Sequence, residues 1–115
     1  MDERLEKALE FANYRTTLSN QKRNIRTRMQ VLQTVHHNAG SFVADERTIS
    51  FVDALLNSKR KEAVIVDTKE NPIEIEDLSE FKEKLLSAYT EASNEYKIQM
   101  DKIKKARDIK KIMDW

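Results

Sequence analysis

Apolar residues recur along the first third of the chain at Phe11, Leu18, Ile25 and Leu32, a seven-residue step. Ala8 and Met29 fall on the companion position four residues after the step, and Leu5, Leu9 and Val35 widen the stripe. No Gly or Pro interrupts residues 2–37, so the spacing predicts one helix over 2–37 with a heptad-like seam. Arg15 and Lys22 stand on the companion positions in its middle. Such a helix would run roughly 50 Å at 1.5 Å per residue. His36-His37-Asn38-Ala39-Gly40 predicts its end. Gly40, the only glycine, suits a left-handed cap or turn, a role that Asn38 can share.

The pattern then changes. Ser41–Ala44 reads as a short extended piece. Asp45 reads as the N-cap of a second helix over 46–58, with Ile49, Val52, Leu55 and Leu56 on one face. Ala63–Asp67 and Pro72–Glu76 read as two strands joined by a turn at Thr68–Asn71, the second alternating apolar and acidic residues. Pro72 opens its strand, where a missing N–H does least harm. A hairpin this small needs a helix or a partner to lie on. A last helix is predicted over 78–112, capped by Asp77 or Ser79. Its seam is Phe81, Leu85, Tyr89, Ala92, Tyr96, Met100, Ile103, Ala106 and Met113, with Ile109 and Ile112 beside it.

These elements predict a single domain over 1–115, mainly α with a small β-hairpin (α+β). The two long helices form an antiparallel helical hairpin or coiled coil, and the short helix and β-hairpin over 41–77 pack at one end. Charge supports the direction of pairing. Each long helix starts acidic (Asp2, Glu3, Glu6, Glu10; Glu80, Glu83, Glu91, Glu95) and turns basic, the first at Arg15–Arg28 and the last at Lys102–Lys111. That order also suits the helix dipole. Exposed pairs contribute only about 0.2–1 kcal/mol each, so they select orientation more than they stabilise. The candidate seam interface is Phe11, Leu18, Ile25, Leu32, Leu85, Tyr89, Tyr96 and Ile103, closing either within one chain or between copies in a homo-oligomer.

Composition narrows the function classes. Of 115 residues, 21 are Lys or Arg and 20 Asp or Glu, a net charge of +1, so no global charge draws the chain to nucleic acid or a membrane surface. There is no cysteine, which removes disulfides and thiolate chemistry. The acidic start, Met1-Asp2-Glu3-Arg4, differs from the basic-then-apolar pattern of an export signal, and no run approaches the apolar length of a membrane span. A soluble intracellular protein is the expectation.

Candidate chemistry is sparse. Adjacent His36 and His37 would diverge by about 100° on a helix and so would not chelate one metal; solvated helix-end histidines are expected. There is no phosphate-cradling glycine loop, no zinc-protease motif and no activated serine or cysteine. Catalytic residues, metals and cofactors are therefore not expected. Arg15, Lys22, Arg23, Arg26 and Arg28 form a candidate basic patch, and the lysines of 102–111 a second. Either could grip phosphates, but acidic residues balance them and antiparallel pairing would consume them, so nucleic acid is disfavoured. Met113 and Trp115 form an apolar end that suits an interface anchor or packing back on its own helix.

One stretch carries a resemblance. Phe42 and Asp45, the helix Ile49–Leu56, the strands Val64-Ile65-Val66-Asp67 and Asn71-Pro72-Ile73-Glu74-Ile75, and the charged helix Leu78–Tyr96 follow one another in order. Over residues 41–104 this resembles a small domain of unknown function from bacteriophage tail-module proteins, near tail-fibre and tail-assembly functions. Ile65 and Val66 stand where family members often carry Trp, and the first long helix lies outside the pattern. The resemblance implies a non-enzymatic structural or assembly protein of the tail or tail-fibre module. It would act by protein–protein contact, in the cytoplasm of a host cell or in a virion. The alternative is a small phage regulatory or counter-defence protein that binds a host factor, nucleic acid or nucleotide.

Overall fold

The computed structural model describes residues 2–113, with side chains as far as Arg107. The chain order is α1 (Glu3–Gln33), β1 (Thr34–His37), β2 (Gly40–Val43), α2 (Glu46–Asn57), β3 (Ala63–Val66), β4 (Pro72–Ile75) and α3 (Leu78–Met113). The fold is mainly helical, with two antiparallel two-stranded sheets, β1-β2 and β3-β4. By contacts it divides into two compact units. One is Met29–Glu95; the other joins Met1–Arg28 with Tyr96–Trp115.

The first long helix is shorter than its apolar spacing predicted. It stops at Gln33, and Thr34–His37 is a strand paired with β2 in the register Val35↔Phe42 and His37↔Gly40. Two β-branched residues, Thr34 and Val35, favour the change. The exit is then tied across the chain: the Ala44 N–H donates to the Gln33 carbonyl at 2.7 Å, and Gln33 Nε2 donates to the Ala44 carbonyl at 3.3 Å. The expected left-handed Gly40 is also corrected. Asn38 and Ala39 hold the positive φ angles, 50° and 66°, of the two-residue hairpin turn. Gly40 serves close approach instead, since a Cβ there would lie 2.6 Å from Ile73 Cγ1.

Within 29–95 the core is Val35, Phe42, Ala44, Val52, Ile65, Ile75, Leu78, Phe81 and Leu85. Every element of this unit after α1 contributes to it. Phe42 meets Phe81 edge-on with ring centroids 4.9 Å apart, and His37 lies tilted on Phe81 at 5.3 Å. Burying each of the two phenyl rings stabilises by about 1.5–3 kcal/mol. Local signals fix the helix ends. Asp45 caps α2 by accepting from the Thr48 N–H at 2.8 Å, and Asp77 Oδ1 caps α3 by accepting from Glu80 at 3.1 Å. Lys59, at φ 64°, closes α2, with Arg60 N–H bonded to the Leu55 carbonyl and Lys59 N–H to that of Leu56.

The other unit has no such core. Among its described residues no side chain is buried; Tyr14, Leu18 and Ile25 on α1 and Tyr96, Met100 and Ile103 on α3 are half-buried. Ile25 and Ile103 line a shallow cleft of about 380 Å3 with Gln21, Asn24, Gln99, Lys102 and Ala106. No helix among the described residues is long and apolar enough to cross a membrane.

Candidate functional site

An apolar groove on unit 29–95 is built around β3. Its turn begins with Asp67. The Glu70 N–H donates to the Asp67 carbonyl, Glu70 adopts φ 65°, and the Asp67 N–H donates to the Asn71 carbonyl. This three-residue loop fixes the ladder's phase. Ile65↔Ile73 and Ala63↔Ile75 become the hydrogen-bonded pairs, whereas Val64↔Glu74 and Val66↔Pro72 face without bonds. Pro72 therefore costs the ladder nothing. By the same alternation, Val64 and Val66 turn their N–H and C=O groups away from β4, along an open strand edge. Their side chains are 63% and 62% exposed, while Ile65 points into the core.

Phe42 and Val43 of β2, Thr48 and Phe51 of α2, and Val64–Val66 of β3 wall a groove of about 640 Å3, with Asp45, Arg47, Asp67 and Thr68 at its rim. Phe51 is 52% exposed. A run of apolar side chains beside an edge without Lys, Pro or bulge is a ready template for another strand. One end of the groove is pinned. Asp67 Oδ2 accepts from the Ser41 N–H at 3.0 Å, Oδ1 accepts from Lys69 and Asn71, and the Thr68 N–H donates to the Ser41 carbonyl. Those bonds, the Ser41 one first and then Asn71, hold the Asp67 carboxyl below the usual carboxylate range against the opposing effect of burial.

A second cleft, about 340 Å3, is lined by His36, His37, Asn38, Glu74, Glu76, Asp77, Glu80 and Lys84. The histidines lie on β1 rather than at a helix end, so their rings diverge across the strand. His36 Nδ1 is 3.2 Å from Ser41 Oγ, and His37 Nδ1 is 3.1 Å from Lys84 Nζ. Among the described residues no group of three or more His, Asp or Glu side chains is placed to hold a metal ion.

The residues singled out from the sequence scatter over both units. Leu85 is a fully buried core residue and Tyr89 packs against that core, its hydroxyl donating to Glu46 Oε1 at 2.9 Å. Leu32 is half-buried in the same unit. Leu18, Ile25, Tyr96 and Ile103 belong to the other unit, where Phe11 is 61% exposed. The basic patch also belongs there, and Arg15, Lys22, Arg23, Arg26 and Arg28 are all exposed. The side chains of Ile109, Lys110, Lys111, Ile112 and Met113, and all of Trp115, lie outside the described residues.

Val43, Phe51, Val64 and Val66 carry the groove and were not distinguished by the sequence pattern. Their one signal was position: Phe51 falls off the Ile49–Val52–Leu56 face of α2, and Val64 and Val66 alternate with buried Ile65. Compared with family models, with curated proteins and with solved structures, the chain finds no match.

Proposed function

We propose that this chain is a non-enzymatic protein-interaction module that receives an extended apolar segment by strand addition at the β3 edge. The observation that carries this reading is the pairing of an open edge with exposed Val43, Phe51, Val64 and Val66. Main-chain bonds would give affinity, and the groove would take alternate side chains of the added strand. The resemblance over residues 41–104 supports a setting in a phage tail or tail-fibre module, as structural component or assembly factor, in the host cytoplasm or the virion. In this reading α1 and α3 pair antiparallel through Leu18, Ile25 and Ile103, and the chain self-associates as well as meeting a larger structural protein.

Val64→Pro tests the edge selectively. The substitution removes an N–H that faces away from β4, so the hairpin keeps its own ladder. Light scattering on the size-exclusion peak, at two salt concentrations, should give a defined mass above the 13.5 kDa monomer for the wild type. The variant should return to monomer with an unchanged circular dichroism spectrum. A wild type that is monomeric throughout contradicts self-association, and an unshifted variant removes the edge from the contact.

A further inference from the structure

We propose that one face of α1 binds the phosphate backbone of a nucleic acid, a function separate from the groove. The near-neutral charge of the whole chain hides a division between its units. Met1–Arg28 with Tyr96–Trp115 holds 14 Lys and Arg against 7 Asp and Glu, whereas Met29–Glu95 holds 7 against 13. The basic bias is strongest along α1, since the 34 residues from Phe11 to Ala44 contain no acidic residue. Within its own unit, α1 shares its cleft with Gln99 and Lys102 of α3.

The geometry of α1 sorts the charges. At 3.6 residues per turn, Arg4, Arg15, Lys22 and Arg26 fall within about 40° of one another and span roughly 33 Å of helix. Glu3, Glu6 and Glu10 lie about 100° or more around the helix from that line. All four basic side chains are exposed, and among the described residues none makes an ion pair; Arg15 rests over the Phe11 ring at 5.9 Å. Between them stand Ala8, Ala12 and Ser19, with Arg23, Thr16 and Gln30 to one side. Small and hydrogen-bonding side chains among exposed cations suit sugar–phosphate contacts. An acidic protein partner, including the acidic unit of a second copy, is less well matched. Protein interfaces draw their energy from several apolar anchors clustered at their centre, whereas one exposed large apolar side chain, Phe11, lies beside this line and its ring carries Arg15.

Fluorescence polarisation of a labelled DNA duplex of arbitrary sequence tests the inference on the intact chain. Binding should weaken with salt, with a log–log slope of about −3 to −4 if four phosphates are neutralised. Arg15→Gln/Lys22→Gln/Arg26→Gln should lose at least about 30-fold in affinity at low salt and flatten the slope by about 3, while circular dichroism stays unchanged. Lys59→Gln/Arg60→Gln/Lys61→Gln removes equal charge from the other unit and should cost less than about 3-fold. If the triple α1 variant loses helix, the three single variants replace it, each expected to lose about 3-fold or more. Absence of duplex binding by the wild type, or equal losses in the two triple variants, overturns the proposal. So does an α1 variant that alters only the mass in light scattering, which would assign the face to a protein.

Discussion

Two stretches of α3 make the same kind of seam and meet different fates. Phe81 and Leu85 are fully buried, while Tyr96 and Ile103, on the same apolar line, are only half-buried. The early stretch is covered by β2, the β3-β4 hairpin and α2. The later one belongs to the unit whose described residues bury nothing. Helical spacing of apolar residues therefore marks which face turns inward, but burial depends on how many elements converge there. Charge follows the same division, acidic with the core and basic without it.

Truncating a core ring should expose that contrast most sharply. Phe81→Ala is expected to cost about 3–5 kcal/mol, enough to unfold much of a chain this size. Leu18→Ala, on a half-buried position, should cost about 1 kcal/mol. Urea denaturation measures both, and equal losses would break the distinction. Gly40→Ala should follow, at about 1–3 kcal/mol, because the new methyl meets Ile73 at a distance the packed hairpins must widen.

The smallest effect concerns pH. Asp67 ties β2 to the β3-β4 turn, and its folded pKa is lowered, with the Ser41 N–H as the first cause. Its contribution to stability is therefore complete above the unfolded carboxyl value near pH 4 and fades as pH falls through the lower folded value. Asp67→Asn should melt lower than wild type at pH 7, with the gap closing below about pH 4. A gap independent of pH would show that the carboxylate charge is irrelevant to the tie.

Much of unit 29–95 was legible in the sequence because its signals are local. Asp45 and Asp77 cap helices through their own side chains, and Thr68–Asn71 turns through Asp67 and a left-handed Glu70. The strands Ala63–Val66 and Pro72–Ile75 follow from β-branched residues and one proline. Thr34–His37 was not legible. Val35 continues the helical stripe and no breaker precedes Asn38, so the strand is decided by Phe42 and Ala44 across the turn. Gly40 misled for a related reason: its lack of a Cβ answers to Ile73, 33 residues away in sequence. The groove was legible only in part. Alternation places Val64 and Val66 opposite Ile65, but an open edge is a property of the sheet.

Hydrogen exchange of the full chain, read by mass spectrometry after dilution below any self-association, tests the division most directly. Amides of Leu78–Ala92 and the hydrogen-bonded amides of the paired strands should exchange at least about 100-fold more slowly than those of Glu3–Arg28, reflecting a core on one side only. Protection of Glu3–Arg28 equal to that of Leu78–Ala92 would contradict it, and would mean that the long first helix is held by packing as extensive as that around Phe81.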